Sequence, residues 1–141
     1  MKYTNESYLT LLKTCTTVVY AINGSLKKDG SNVMGKGLGK TIAISMPNLP
    51  DILGKLISTR GLKCYSLFSW KLKLIAFPTK RNYWEDESID LIKESIAQML
   101  ELITEEETVV MEFPYYGNDE TIIAQIKELL NDLDDRFTIC L

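Results

Sequence analysis

The sequence contains no histidine among its 141 residues. This absence excludes Ser-His-Asp and Cys-His nucleophilic catalysis, histidine metal ligation and imidazole acid–base chemistry near neutral pH. Any catalytic chemistry must therefore come from Asp, Glu, Lys, Tyr or Cys side chains. We expect neither a bound metal nor a cofactor.

Cysteine is also scarce. Cys15, Cys64 and Cys140 lie far apart within apolar runs, and no CxxC pair is present. This pattern predicts buried, reduced thiols rather than disulfides or a zinc site, and hence a cytoplasmic protein. No apolar run approaches the ~20 residues that a membrane helix needs, and we expect no signal peptide. A membrane is therefore not an expected partner.

Basic residues are not in excess, because the formal net charge is −3 at pH 7. Proteins that bind nucleic acid in general usually have a basic surplus. Nucleic acid is therefore not an expected general partner. Local basic clusters such as Lys27-Lys28 and Lys80-Arg81 still suit a small anionic ligand.

Strand-like and helix-like patterns alternate along the chain, which predicts one α/β domain over residues 1–141 with three layers, α/β/α. The two strand patterns around Ser69-Trp70 predict a hairpin, so the sheet should be mixed rather than all parallel. The expected strands are 1–4, 15–23, 62–68, 71–79, 108–113 and 136–141, and the expected helices are 8–12, 38–46, 51–59, 86–103 and 119–133.

The stretch 18–45 is the most informative part of the sequence. An apolar strand ends at Asn23, and after a polar loop the glycines of Gly35-Lys36-Gly37-Leu38-Gly39 open a helix. Unpaired amides at a helix N-terminus form an anion site, most often for phosphate. A flexible loop before a surface helix is the alternative interpretation of these residues.

Two further strand ends carry similar signals. A strand ends at Pro114, and the loop to Asp119 enters a helix; another strand ends in Pro78-Thr79-Lys80. Ligands of such sheets bind beyond the strand ends. Two helix N-termini facing one cleft would suit a diphosphate.

The segment from Gly35 to Thr41 also resembles a nucleotide-binding P-loop that ends in Gly-Lys-Thr. The GxxxxGK[ST] rule requires glycine at position 34, which is Met34. In addition, about eleven residues separate this loop from its strand, and no apolar run ending in a metal-binding Asp follows. We therefore do not expect an NTPase.

Taken in order, the motifs resemble the macro domain family. Met34 to Leu38 resembles its MGxGhA motif (h, apolar), Phe77-Pro78-Thr79-Lys80 resembles its [FIL]-x-T-K segment, and Pro114-x-x-Gly117 resembles its second phosphate loop. The likeness is to the branch that includes terminal ADP-ribose protein glycohydrolases, ADP-ribose-1″-phosphate phosphatases and many phage-encoded relatives. It covers nearly the whole chain and implies a three-layer α/β/α macro-like domain with a mixed central sheet.

The resemblance also implies a site. Asn23 would contact the distal ribose, residues 35–39 would wrap the diphosphate, and Glu6 or Ser7 lies near the family's adenine-reading Asp. Lys80 falls on the lysine that attacks the ribose in the glycohydrolase sub-branch, with Asp119 as the nearby acid. The implied ligand-binding residues are Asn23, Met34, Gly35, Lys36, Gly37, Leu38, Gly39, Thr79, Pro114, Tyr115, Tyr116, Gly117 and Asn118.

Several of these residues have structural alternatives. Lys80 is also consistent with an exposed lysine at a strand end, and Asp119 with a helix residue favoured by the dipole. Tyr115 and Tyr116 suit either stacking on a base or ribose, or packing within their own loop.

The second loop departs from the family pattern, because Asn118-Asp119-Glu120 replaces the usual GxG run. Binding of ADP-ribose or a related nucleotide tolerates this change better than hydrolysis does. The first hypothesis is therefore a binding module that sequesters or reads such a ligand. The alternative is an enzyme that removes ADP-ribose from protein or nucleic acid through Lys80, or an ADP-ribose-1″-phosphate phosphatase. The natural ligand and the oligomeric state stay open.

Overall fold

A mixed sheet forms the centre of the molecule in the computed structural model, which describes residues 1–69 and 71–141. Trp70, in the predicted hairpin turn, lies outside the described residues. Within them the sheet has six strands in the order β1-β6-β5-β2-β4-β3, and only β3 and β4 pair antiparallel. The strands are β1 (Lys2–Thr4), β2 (Thr17–Asn23), β3 (Tyr65–Ser69), β4 (Leu72–Lys80), β5 (Val109–Glu112) and β6 (Phe137–Cys140).

Helices cover both faces of this sheet, as the sequence predicts. Those in the described chain are α1 (Tyr8–Leu11), α2 (Gly37–Ser45), α3 (Leu49–Arg60), α4 (Ile89–Leu102) and α5 (Glu120–Leu130). Alternate residues of β2 enter different cores: Val18 and Tyr20 pack with α2 and α3, whereas Val19 packs with α4 and α5. A strand buried on both faces explains the nearly continuous apolar run. The predicted three-layer α/β/α class is confirmed.

Helix boundaries differ from the predicted ones by a few residues. Helix α3 begins at Leu49 because Pro50 fits in a first helical turn, where its missing N–H costs nothing. Helix α4 begins at Ile89 rather than residue 86, because the Ser88 side chain caps it by accepting a hydrogen bond from the Leu91 amide at 3.2 Å. Glu87 therefore lies outside the helix, in the loop after β4.

The topology brings three strand ends together. Strands β5, β2 and β4 are neighbours and parallel, and their last residues are Glu112, Asn23 and Lys80. Helices α2 and α5 begin at this same edge of the sheet. Cys15, Cys64 and Cys140 are buried free thiols, as predicted. No helix in the described ranges combines the length and apolar character needed to cross a bilayer.

Candidate functional site

A cavity of about 280 Å³ opens at the carboxyl ends of β2 and β4. Ligand sites in α/β sheets lie at such strand ends, and small-molecule pockets begin at about this size. The lining residues come from β2, the loop before α2, the end of β4 and the loop before α5: Ala21, Ile22, Asn23, Val33, Met34, Gly35, Lys36, Gly39, Thr79, Lys80, Tyr83 and Tyr116.

Two asparagines shape the loop between β2 and α2. The Asn23 side chain donates to the Val33 carbonyl and accepts from the Ser25 amide, both at 2.9 Å. Asn32, which is 1% exposed, donates to the carbonyls of Asn23 at 3.0 Å and Ser25 at 2.9 Å. The Asn23 side chain thus uses one N–H and one oxygen lone pair in hydrogen bonds within the loop. Its second N–H and second lone pair remain available to a ligand. Asn32 is not among the site residues predicted from the sequence.

The loops before α2 and α5 meet directly at Tyr116. The Lys36 ammonium lies 5.3 Å from the centroid of the Tyr116 ring, within the range of a cation–π contact. Gly37 has φ +73°, and a Cβ there would overlap the Tyr116 hydroxyl oxygen. Glycine is therefore required at position 37 for both its backbone conformation and this close approach. The two predicted phosphate loops lie at the same edge of the sheet.

Glu112 is the main residue of the site that the sequence analysis missed. Its carboxylate accepts from the Ala21 amide at 2.9 Å and from the Leu38 amide at 2.8 Å, and the Tyr116 hydroxyl donates to it as well. The residue is 6% exposed, and burial raises the pKa of its carboxyl group while these hydrogen bonds lower it. Leu38 is the second residue of α2, so the carboxylate lies at the positive end of that helix.

Lys80 is buried at the cavity wall, so its interpretation as an exposed strand-end lysine is wrong. Its ammonium lies 3.8 Å from one carboxylate oxygen of Glu87. The other oxygen of Glu87 accepts from the Tyr116 amide at 2.7 Å. Glu87 therefore connects the predicted reactive lysine to the second loop. The predicted helix 86–103 would have placed this residue in its first turn.

Thr79 is buried next to Lys80 and lines the same cavity. Tyr83 lies at the cavity mouth with 54% of its surface exposed, and its amide donates to the Ser25 hydroxyl at 2.9 Å. The loop after β4 is thereby held against the loop after β2.

Asp119 is exposed and caps α5, where its carboxylate accepts from the amides of Thr121 at 2.9 Å and Ile122 at 3.4 Å. This position agrees with its interpretation as a residue at the helix N-terminus that the dipole favours, and its catalytic role stays a prediction. Carboxylates of the chain itself therefore lie at the N-termini of both α2 and α5, where the sequence analysis expected phosphate.

The other predicted residues lie around the cavity. A second cavity of about 460 Å³ is lined by Tyr115 and Gly117 and also by Tyr8 and Glu112. Tyr116 lines both cavities and separates them. Glu6 and Ser7 border a third, more apolar cavity next to α1. Leu38, in the first turn of α2, is buried in the core between α2 and the sheet. The ligand contacts implied for these residues and for Gly37, Pro114 and Asn118 stay predictions.

Among comparisons with known proteins, those with solved structures give matches. No protein-family model and no curated protein matches the sequence. Solved structures do match: the macrodomain of Thermus aquaticus DarG has a TM-score of 0.73 at 17% identity, with 99% of this chain and 97% of that chain covered. The macrodomain of Mycobacterium tuberculosis DarG has a TM-score of 0.75 at 18% identity, with 98% and 95% covered.

A third structure, Thermosipho africanus DarTG in complex with ADP-ribose, has a TM-score of 0.70 at 19% identity. The match covers 90% of this chain and 38% of that longer chain. The fold and the site together define an α/β/α domain with a ligand-sized cavity at the carboxyl edge of a mixed sheet. This is the macrodomain fold, as the order of motifs in the sequence predicts.

Proposed function

We propose that this protein binds ADP-ribose or a related ADP-ribose-derived nucleotide, with the ribose and phosphate end of the ligand in the cavity of about 280 Å³. The observation that carries the proposal is the position of this cavity at the carboxyl edge of a macrodomain fold, between Asn23, Gly35 and Lys80. One structure with the same fold was solved with ADP-ribose.

The local charge of the cavity supports an anionic ligand. Lys36 and Lys80 both line it, although the whole chain carries a net charge of −3. Gly35 leaves room for a close approach, because a Cβ placed there would meet no atom within 4 Å. Asn23 offers its remaining donor and acceptor to ribose hydroxyl groups. These features suit a phosphorylated sugar better than an apolar ligand.

The second cavity, of about 460 Å³, suits the other half of such a ligand. It lies beyond Tyr116 and is lined by the aromatic rings of Tyr8, Phe113 and Tyr115. Aromatic side chains provide flat apolar surfaces on which a nucleobase can stack. A ligand with a sugar at one end and a base at the other would extend across both cavities.

Replacing Lys36 with glutamine is expected to weaken binding of ADP-ribose about fivefold, which corresponds to roughly 1 kcal/mol. The substitution removes a cation from the cavity wall and leaves most of the side-chain volume. Isothermal titration calorimetry with ADP-ribose measures the change. Lys28→Gln is the matched control, because Lys28 is exposed in the same loop and does not line the cavity. Equal loss of affinity in both variants would contradict the proposed position of the ligand.

Hydrolysis of an ADP-ribosyl bond is the second candidate, because a buried amine at the cavity wall has a carboxylate within 3.8 Å. Lys80 must lose a proton before it can act as a nucleophile, and Glu87 is the carboxylate that the structure pairs with it. The free amine would then attack the anomeric carbon of the ribose while the bond to the modified protein or nucleic acid breaks. The leaving group would take up the proton that Lys80 gave up, and water would later hydrolyse the bond between the lysine and the ribose, which releases ADP-ribose and regenerates the lysine.

Lys80→Ala separates the two candidates. An enzyme is expected to lose release of ADP-ribose from an ADP-ribosylated substrate, by at least about a hundredfold, while still binding free ADP-ribose. Lys80→Arg is the matched control, because arginine keeps the charge but is not a nucleophile. The assay follows free ADP-ribose by chromatography, with ADP-ribose-1″-phosphate as a parallel substrate. Binding without turnover in the wild type would leave only the binding function.

We expect this function to operate in the cytoplasm, because the three cysteines are all free thiols.

A further inference from the structure

We propose that Glu112 determines which ligands this cleft accepts, because its carboxylate occupies the anion position that a ligand phosphate would need at the start of α2. The inference rests on the proposed function and deepens it. The native cleft then binds a diphosphate ligand more weakly than the same cleft would without this carboxylate, whereas an uncharged nucleoside is affected less. ADP-ribose binds fully only when the Glu112 side chain moves away.

The Glu112 carboxylate bridges two elements of the fold. Its two oxygens accept from backbone amides on two different elements, the Ala21 amide of β2 and the Leu38 amide of α2, at 2.9 and 2.8 Å. Each carboxylate oxygen therefore accepts from a backbone amide that a bound anion would otherwise use. Charge-assisted hydrogen bonds of this kind are the stronger ones in proteins.

Glu112 is the charged residue of an otherwise apolar strand. The other residues of β5, Val109, Val110 and Met111, are buried and apolar. A charged side chain is rarely almost fully buried unless it is paired or hydrogen-bonded. Among the described residues, Glu112 satisfies this requirement with the backbone of β2 and α2 and with the Tyr116 hydroxyl, rather than with a lysine or arginine.

Glu112 and Tyr116 lie together where the two cavities adjoin. Tyr116 lines both cavities, and Glu112 lines the second. The Tyr116 hydroxyl rests where a Cβ of Gly37 would be and donates to Glu112. A ligand that extends from one cavity into the other must pass this point. In the proposed position, the part of ADP-ribose that passes it is the diphosphate.

Displacement of Glu112 would exchange one anion for another. The amides of Ala21 and Leu38 and the Tyr116 hydroxyl, which now donate to the carboxylate, would be free to donate to phosphate oxygens. A carboxylate and a phosphate cannot share these donors, because one N–H donates well to only one acceptor. Two negative charges within hydrogen-bond distance of the same donors would also repel each other. The cleft is therefore built for phosphate but is filled by its own side chain.

The test compares wild type with Glu112→Ala, Glu112→Gln and Glu105→Ala by isothermal titration calorimetry with ADP-ribose and with adenosine. Glu112→Ala is expected to bind ADP-ribose at least about tenfold more tightly than wild type. Glu112→Gln is expected to lie between the two, because it removes the charge but still fills the position. Glu105 is exposed near the opposite end of β5, so its variant controls for net charge and should stay within about twofold of wild type.

Two results would overturn the inference while leaving the proposed function intact. One is that wild type binds ADP-ribose and folded Glu112→Ala binds it no more tightly. The other is that adenosine binding tightens as much as ADP-ribose binding, which would indicate added space rather than relief of charge repulsion. Should Glu112→Ala not fold, as judged by circular dichroism, Glu112→Gln decides in the same way. Failure of every protein to bind ADP-ribose would instead refute the proposed function, and the inference with it.

Discussion

Replacing Gly37 with glutamate is expected to abolish ligand binding, with the Kd for ADP-ribose raised at least about a hundredfold. The glycine has φ +73°, a conformation that other residues adopt only with strain. A Cβ at this position would overlap the Tyr116 hydroxyl and would lie 2.7 Å from a carboxylate oxygen of Glu112. The new carboxylate would add a second negative charge where the diphosphate is proposed to pass. Calorimetry with ADP-ribose measures the loss.

Gly61 offers a control for backbone strain alone. It has φ +91°, but a Cβ there would meet no atom within 4 Å. Its ψ of 173° places it in a region that essentially only glycine occupies, so we expect Gly61→Ala to lower stability by about 1–3 kcal/mol and to leave affinity unchanged. Gly37→Ala also carries a backbone cost from its positive φ, and in addition its Cβ would overlap the Tyr116 hydroxyl oxygen. A folded Gly37→Glu variant with wild-type affinity would refute the placement of the diphosphate beside residues 35–39.

Replacing Gly54 with alanine is expected to lower the free energy of unfolding by about 2–3 kcal/mol, the cost typical of overpacking a core. Alanine at an exposed position inside a helix normally stabilises by about 1 kcal/mol relative to glycine. Here the sign is reversed, because a Cβ on α3 would overlap the Gly30 carbonyl oxygen and lie 3.0 Å from the Ser31 Cα. These are backbone atoms that cannot rotate away, so the helix and the loop must separate. Urea unfolding followed by circular dichroism measures the change.

Ser58→Ala is the matched control for helix propensity, because Ser58 is exposed in the same helix. We expect its effect on stability to stay within about 0.5 kcal/mol. Gly54→Ala should also weaken ligand binding, since the loop that α3 supports holds Asn32 and, through it, Asn23. If the free energy of unfolding of Gly54→Ala equals or exceeds that of wild type, the loop at Gly30 can move to make room for the Cβ. That result would contradict the close packing of α3 against this loop.

The elements could be predicted because their signals are local. Helix α5 repeats its apolar residues with the helical period, and the run that forms β2 is apolar and β-branched without alternation. The errors fall at the ends of strands and helices, and at the start of α4 a single side chain decides the boundary. Ser88 caps α4, so the helix begins at Ile89, three residues after the predicted start, because propensity does not show which residue of Asp86-Glu87-Ser88 will accept from the first amides.

The candidate site could be predicted only in part. Asn23, Gly35, Lys36 and Lys80 were expected at one cleft, and the structure places all four around one cavity. Such residues follow strands that end at one edge of the sheet, so topology alone brings them together. Their contacts with a ligand stay predictions. The ion pair between Lys80 and Glu87 could not be predicted, since Glu87 lies in a loop where the sequence pattern predicts a helix.

The sequence by itself determined the order of strands and helices, the mixed sheet and the edge at which the cleft lies, because hydrophobic periodicity and glycine position act over a few residues. Only the tertiary structure decided what fills the cleft. Glu112 meets the Leu38 amide across 74 positions of sequence and the Ala21 amide across 91. No local pattern indicates such a partner, because the packing of three strands and a helix creates the position that its carboxylate takes.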